Sequence, residues 1–219
     1  MNYLFMSFLL ALVMLLFFCS ARTAIWAIGA QFLIAGLLVL RLDERSDIHT
    51  QSFESWATRI QLLDLLFVRS LLLPLLFVRL LKKLKNGGSS RGLSTIPANF
   101  VVWLCAVVLI IASYWFGQRI FPEDFQSSFQ IGTTVAGVLI GFFILSAQSA
   151  PLGQIIGLLT LEAGIVLAEV LGRHEMPWFL QLGASVVFVW SLSLFATFLS
   201  RFSELEDPRL ASALEKEVL

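Results

Sequence analysis

Four ionisable residues stand inside runs that are otherwise apolar: Asp64, Arg69, Glu162 and Glu169. Glu162 and Glu169 lie in GLLTLEAGIVLAEVLG (157–172), and Arg69 near the middle of LLDLLFVRSLLLPLLF (62–77), with Asp64 five residues before it. Burial in a low dielectric favours the neutral form of a carboxyl group, and a nearby arginine favours the charged form. Carboxyl groups whose charge depends on a partner suit the movement of protons or ions. Each ionisable group at a bilayer centre costs at least about 2.5–3.5 kcal/mol on insertion scales, so such groups face a bundle interior and carry a partner or a function.

The chemistry of a self-contained enzyme is not written here. No nucleophile–base pair, Gly-rich phosphate loop, GxSxG or CxxC pattern occurs. Cys19 and Cys105 sit in separate apolar runs, and His49 and His174 fall in expected loops, so the sequence offers no metal site and no cofactor site. The zero formal net charge gives no argument for nucleic acid, and no nucleic-acid partner is expected.

The elements that position the charges follow from composition. Of 219 residues, 58% are hydrophobic and 14% charged, against roughly 45–50% and 25% in soluble domains. The chain therefore reads as an all-α polytopic membrane protein. About 20 apolar residues make a spanning helix, and seven such runs occur, at 3–19, 23–41, 61–81, 98–117, 128–148, 152–172 and 178–200. They form one transmembrane domain over residues 1–202, followed by a polar cytoplasmic tail, 203–219. MNYLFMSFLLALVMLLFF lacks the basic start of a signal peptide and reads as the first span. The first two spans form a tight antiparallel pair around Ser20–Arg22. A short interfacial helix is expected in 43–59, where Phe53, Trp56 and Ile60 recur at helical spacing, and a loop in 82–97.

The positive-inside rule sets the orientation. With the loop after span 3 in the cytoplasm, that side holds Arg22, Arg79, Lys82, Lys83, Lys85, Arg91, Arg201, Arg209 and Lys216. The other side holds only Arg41, Arg45, Arg59, Arg119 and Arg173. The N-terminus is then outside and the C-terminus inside. Trp26, Trp56, Trp115 and Trp178 lie near span ends, as interfacial anchors do.

Glu162 comes at mid-span and Glu169 two turns outward on nearly the same face, about 10 Å along the axis. Gly153, Gly157, Ala163, Gly164 and Ala168 allow other helices or water close to that span. Asp64 and Arg69, at i, i+5, are poorly placed to pair on an α-helix, so each is expected to find partners elsewhere. Pro74 removes a backbone bond and is expected to kink span 3. Gln31, Gln148 and Gln154 are supporting polar groups.

Two stretches, RSLLLPLLF (69–77) and AQSAPLGQIIGLLTLEAGIVLAEVL (147–171), resemble the hydrogenase-4 component E family. The shared pattern is a basic residue and LLxP in one span, then two glutamines, a glycine and a Leu-Glu-x-Gly element in another. These fall on Arg69, Leu72, Pro74, Gln148, Gln154, Gly157, Leu161, Glu162 and Gly164. The later part of that family is similar to the K-type subunit of respiratory complex I and to the C-type subunit of multisubunit cation/proton antiporters.

The resemblance implies a non-catalytic membrane-arm subunit in a bacterial cytoplasmic membrane. It would sit in membrane lipid beside large antiporter-like and other membrane-arm subunits, and beside a NiFe hydrogenase module where the assembly has one. Glu162 matches the first of two intramembrane glutamates of the K-type subunit. The second has no acidic counterpart in span 7, where Ser185 and Val187 stand, and Ala163 replaces a frequent Asn. Glu169, which the resemblance does not cover, either supplies the missing carboxylate from the same helix or lies near the outer interface. The alternatives are a scaffold that positions larger subunits, for instance in an inorganic-carbon-uptake complex, and an independent small transporter.

Overall fold

A computed structural model of the chain describes residues 2–17, 21–43, 54–86, 100–148 and 150–172, and then 183, 185–191, 193, 194 and 197. Apart from the short connection between the fifth and sixth helices and the turn that follows the sixth, the described residues are helical. Helix α1 spans Asn2–Phe17, α2 Ala21–Asp43, α3 Glu54–Leu63 and α4 Leu73–Asn86. Between α3 and α4 the residues Asp64–Leu72 wind as a π-helix, the π segment. Helices α5 (Phe100–Ile120), α6 (Phe125–Ala147) and α7 (Pro151–Gly172) follow.

Among the described residues five stretches are long and apolar enough to cross a membrane: Ala21–Leu42, Thr58–Arg79, Val101–Ile120, Phe125–Ala147 and Pro151–Gly172. They correspond to the second through sixth expected spans. A shorter apolar stretch, Tyr3–Leu15, lies in α1. The chain is thus a multi-pass, membrane-type helical bundle. Residues 18–20, 44–53, 87–99 and the tail 203–219 lie outside the described residues, as does most of the expected seventh span.

Two boundaries differ from expectation. The helix expected in 43–59 is continuous with span 3, because α3 begins at Glu54 and runs without a break into the π segment. Nothing in ESWATRIQLL breaks a helix: it has neither Gly nor Pro. The helix also continues past the expected end of span 3, carrying Lys82, Lys83 and Lys85 on its last turns to Asn86.

The core joins α1, α2, α6 and α7 through Phe5, Phe8, Leu12, Ile25, Ile28, Phe32, Ile140, Ile144 and Leu167. In lipid, apolar contact alone gives helices little reason to associate, and close backbone approach does more. The α6–α7 interface shows how. A Cβ added at Gly157 would stand 2.5 Å from the backbone N of Leu145, and one at Gly164 2.6 Å from that of Val138. Gly141 presses in the same way on the backbone of Leu161, and Phe8 of α1 seals the crossing beside Gly137.

Gly157 and Gly164 do let another helix close, as expected, and that helix is α6. Ala168 is exposed. Glu162 stands about 140–160° round the helix from both glycines. The glutamates therefore occupy the face opposite the glycine seam.

Helices α5 and α6 form a second close pair. Gly117 faces the Ser128 carbonyl, and Gly132 faces the Tyr114 ring. Thr133 donates its hydroxyl hydrogen to the Phe129 carbonyl at 2.9 Å, so it receives the Tyr114 hydroxyl at 3.0 Å as acceptor. Asp124 caps α6, accepting from the backbone N–H of Gln126 and the hydroxyl of Ser127. Those hydrogen bonds, Ser127's first, hold the Asp124 carboxyl below the usual range.

Candidate functional site

Span 3 and α7 meet at a buried charge cluster. Arg69 donates from Nε to Asp64 Oδ2 at 2.7 Å and from Nη1 to Glu162 Oε1 at 2.5 Å. The Arg69 and Asp64 side chains retain 7% and 3% of their exposure, and Glu162 27%. Charge-assisted bonds of this kind are short and strong. One guanidinium thus ties together two carboxylates from elements nearly a hundred residues apart in sequence.

The Asp64–Arg69 contact overturns the expectation that the two are badly spaced. On an α-helix, positions i and i+5 point about 140° apart. The π segment closes its turns by i→i+5 bonds, as Leu73 N–H to the Val68 carbonyl shows at its end. Residues five apart then stack as neighbours, and the pair forms within one element. The π winding ends immediately before Pro74, which has no N–H to offer the turn behind it. Pro74 itself packs on α2, where a Cβ at Gly29 would stand 2.7 Å from its ring.

Two aromatic rings complete the surroundings of Arg69. Its guanidinium carbon lies 5.7 Å from the Phe32 ring centre in α2 and 4.4 Å from that of Phe188, beyond α7. Both distances are in the range of cation–π attraction. Glu169 is half-buried and lies in the electrostatic field of Arg69 and Asp64, without a hydrogen bond or ion pair to either among the described residues. The group therefore sets three carboxyl groups against one cation.

The remaining expected residues separate by place. Gln31 is fully buried in α2, and among the described residues neither its amide oxygen nor its amide nitrogen has a hydrogen-bond partner. Asp64 Oδ1 is a third buried atom in that condition. Gln148 and Gln154 are not at the cluster. Gln148 ends α6, and Gln154 donates from Nε2 to the Gln148 carbonyl at 3.2 Å, closing the turn into α7 about 12 Å along the axis from Glu162. Among the described residues no group of His, Cys, Asp and Glu is arranged to hold a metal ion. Cys105 is exposed, while Cys19, His49 and His174 lie outside the described residues.

Sequence reasoning missed Phe188, because span 7 was searched for carboxylates and not for a ring to lie over Arg69. It also missed Gly132, Gly137 and Gly141, although their spacing of five and four along α6 was a visible signal. No protein-family model, curated protein or solved structure matches the chain.

Proposed function

We propose that this chain is a non-catalytic membrane-arm subunit of a complex I-like, hydrogenase-4-like or antiporter-like assembly. It contributes Arg69, Asp64, Glu162 and Glu169 to a proton or sodium path in a bacterial cytoplasmic membrane. On this reading the chain has seven spans with the N-terminus outside and the C-terminus inside, and works beside large antiporter-like subunits.

The observation that carries the reading is the shared guanidinium: Arg69 bonds Asp64 and Glu162 at once, while Glu169 lies close by without a direct bond. A proton arriving at Glu162 weakens its claim on Arg69 and strengthens that of the other carboxylates. Charge at one carboxyl group thereby sets the affinity of the next, which is what coupling along a hydrophilic axis requires.

The same bridge favours a second reading, a scaffold in which the Arg69–Glu162 bond only locks span 3 to α7. Glu162→Gln separates the two, because the amide keeps a hydrogen-bond acceptor for Arg69 but cannot carry the charge. In the assembled complex in membrane vesicles, the variant is expected to assemble normally and to lose coupled proton or sodium movement. Normal coupling in a fully assembled variant would sink the ion-path reading. The scaffold reading predicts instead that Glu162→Gln is silent and that Glu162→Ala loses the assembly.

A further inference from the structure

Helix α4 has two unlike sides. Leu73, Phe77 and Leu81 are buried at intervals of four, and among the described residues α4 packs on α2 and on the π segment. The other side exposes Leu72, Leu75 and Leu76, and one and two turns past Leu75 it exposes Arg79 and Lys82. At about 100° per residue, Leu75, Arg79 and Lys82 fall within about 60° of one another, with Phe77 opposite. The outward stripe thus begins apolar and ends cationic.

Depth gives the change of character a meaning. Arg69 stands at the middle of the apolar stretch Thr58–Arg79. Arg79 lies about 15 Å further along the axis, half of a hydrocarbon core about 30 Å thick. Arg79 and Lys82 therefore reach the level of lipid phosphates, and the leucines stay at the level of acyl chains. No acidic residue occurs between Asp64 and Glu123, and neither cation has an ion pair among the described residues. Orientation alone requires cations in the connection after a span, on any side of the helix. Here they continue the leucine stripe. A neutral lipid would cover the leucines and leave the cations, and an acidic peptide would do the reverse, whereas an anionic lipid satisfies both.

We propose that the outward face of α4 binds an anionic phospholipid, with its phosphate on Arg79 and Lys82 and an acyl chain along Leu72, Leu75 and Leu76. A guanidinium meets phosphate oxygens with two parallel N–H donors, and the lysine adds a compact charge one turn on. Which leaflet the lipid belongs to rests on the orientation proposed above. The site itself does not.

Native mass spectrometry of the full chain, released from detergent micelles, identifies bound lipids by mass. Phosphatidylglycerol and phosphatidylcholine with the same acyl chains are titrated in turn, and the wild type is expected to bind phosphatidylglycerol the more tightly. Each cation near an anionic surface is worth about fivefold in affinity, so the double variant Arg79→Gln, Lys82→Gln is expected to bind phosphatidylglycerol about 25-fold more weakly. Its affinity for phosphatidylcholine is expected to stay unchanged. Arg119→Gln, at an exposed arginine near the end of α5, is expected to leave both affinities as they are. Glycerol phosphate, the same headgroup chemistry without acyl chains, is not expected to displace the lipid. A wild type without preference, an unchanged double variant, or an equal loss in Arg119→Gln each overturns the site. Displacement by glycerol phosphate overturns it in favour of a phosphate site that takes no lipid. Binding seen only after deletion of residues 203–219, which include Glu204, Glu206 and Asp207, overturns it in favour of an acidic peptide of this chain. The wild-type comparison of the two lipids decides even if the double variant does not fold. None of these measurements involves transport, so a missing lipid preference leaves the Glu162 reading standing, and normal coupling in Glu162→Gln leaves the lipid site standing.

Discussion

Helices α5 and α7 are almost equally long and almost equally apolar, yet they occupy opposite environments. Only 17% of the Val101–Ile120 stretch is buried within the bundle, against 56% of Pro151–Gly172. α5 shows Val101, Leu104, Val108, Ile111, Trp115 and Phe116 to its surroundings and packs mainly on α6. α7 is held on one side by a glycine seam and on the other by an ion pair to span 3. Hydropathy therefore says that a helix belongs in a membrane and nothing about where it stands in the bundle. Position is written in the residues that lipid does not tolerate, charges, and in those that let backbones touch, glycines.

The sharpest way to test that contrast is to strike the charged side of α7. Arg69→Leu leaves the Asp64 and Glu162 carboxyl groups without their cation. It is expected to cost about 3–5 kcal/mol, the loss typical of breaking a buried pair from one side, read as denaturant unfolding in detergent micelles. A cost near zero would mean that the bridge does not hold α7 in place. The glycine side comes next. Gly164→Leu forces a side chain against the Val138 and Gly137 backbone and is expected to cost about 1–3 kcal/mol by overpacking, with the α6–α7 pair separating first in cysteine cross-linking.

On the α5 side the effects shrink. Tyr114→Phe removes the hydroxyl bonded to Thr133 but keeps the ring stacked on Phe129 at 5.4 Å, so a loss of about 0.5–1.5 kcal/mol is expected in the same assay. Val108→Ala, on the exposed face of α5, is expected to stay within about 0.5 kcal/mol of the wild type. A penalty at Val108 as large as that at Gly164 would break the comparison, because α5 would then be an inward helix.

How much of this was legible in the sequence depends on the physical cost involved. The cluster was legible because Asp64, Arg69 and Glu162 are expensive in an apolar run, and expense implies a partner. That Arg69 bonds both carboxyl groups was not, since pairing across helices depends on which faces meet. Gly157 and Gly164 were legible as points of close approach, but not which helix they face, because that depends on Gly137 and Gly141 of α6. The Asp64–Arg69 pair was misjudged because the spacing was measured on an α-helix, and no periodicity in DLLFVRSLL distinguishes π from α winding. Pro74 was read as a kink from its missing N–H, but the π segment that ends just before it had no signal in the sequence.

The π segment also changes what a single-residue deletion would do. Removing one residue between Asp64 and Arg69 would set them four apart, and on an ordinary α-helix four apart is again a neighbouring position. The ion pair is thus compatible with two chain lengths, the longer wound as π and the shorter as α. The residue that seems surplus in Asp64–Leu72 could be lost without separating the two charges, whereas a deletion elsewhere in span 3 would turn one half of the helix against the other. The segment is the one place in this span where length can change and the pairing persist.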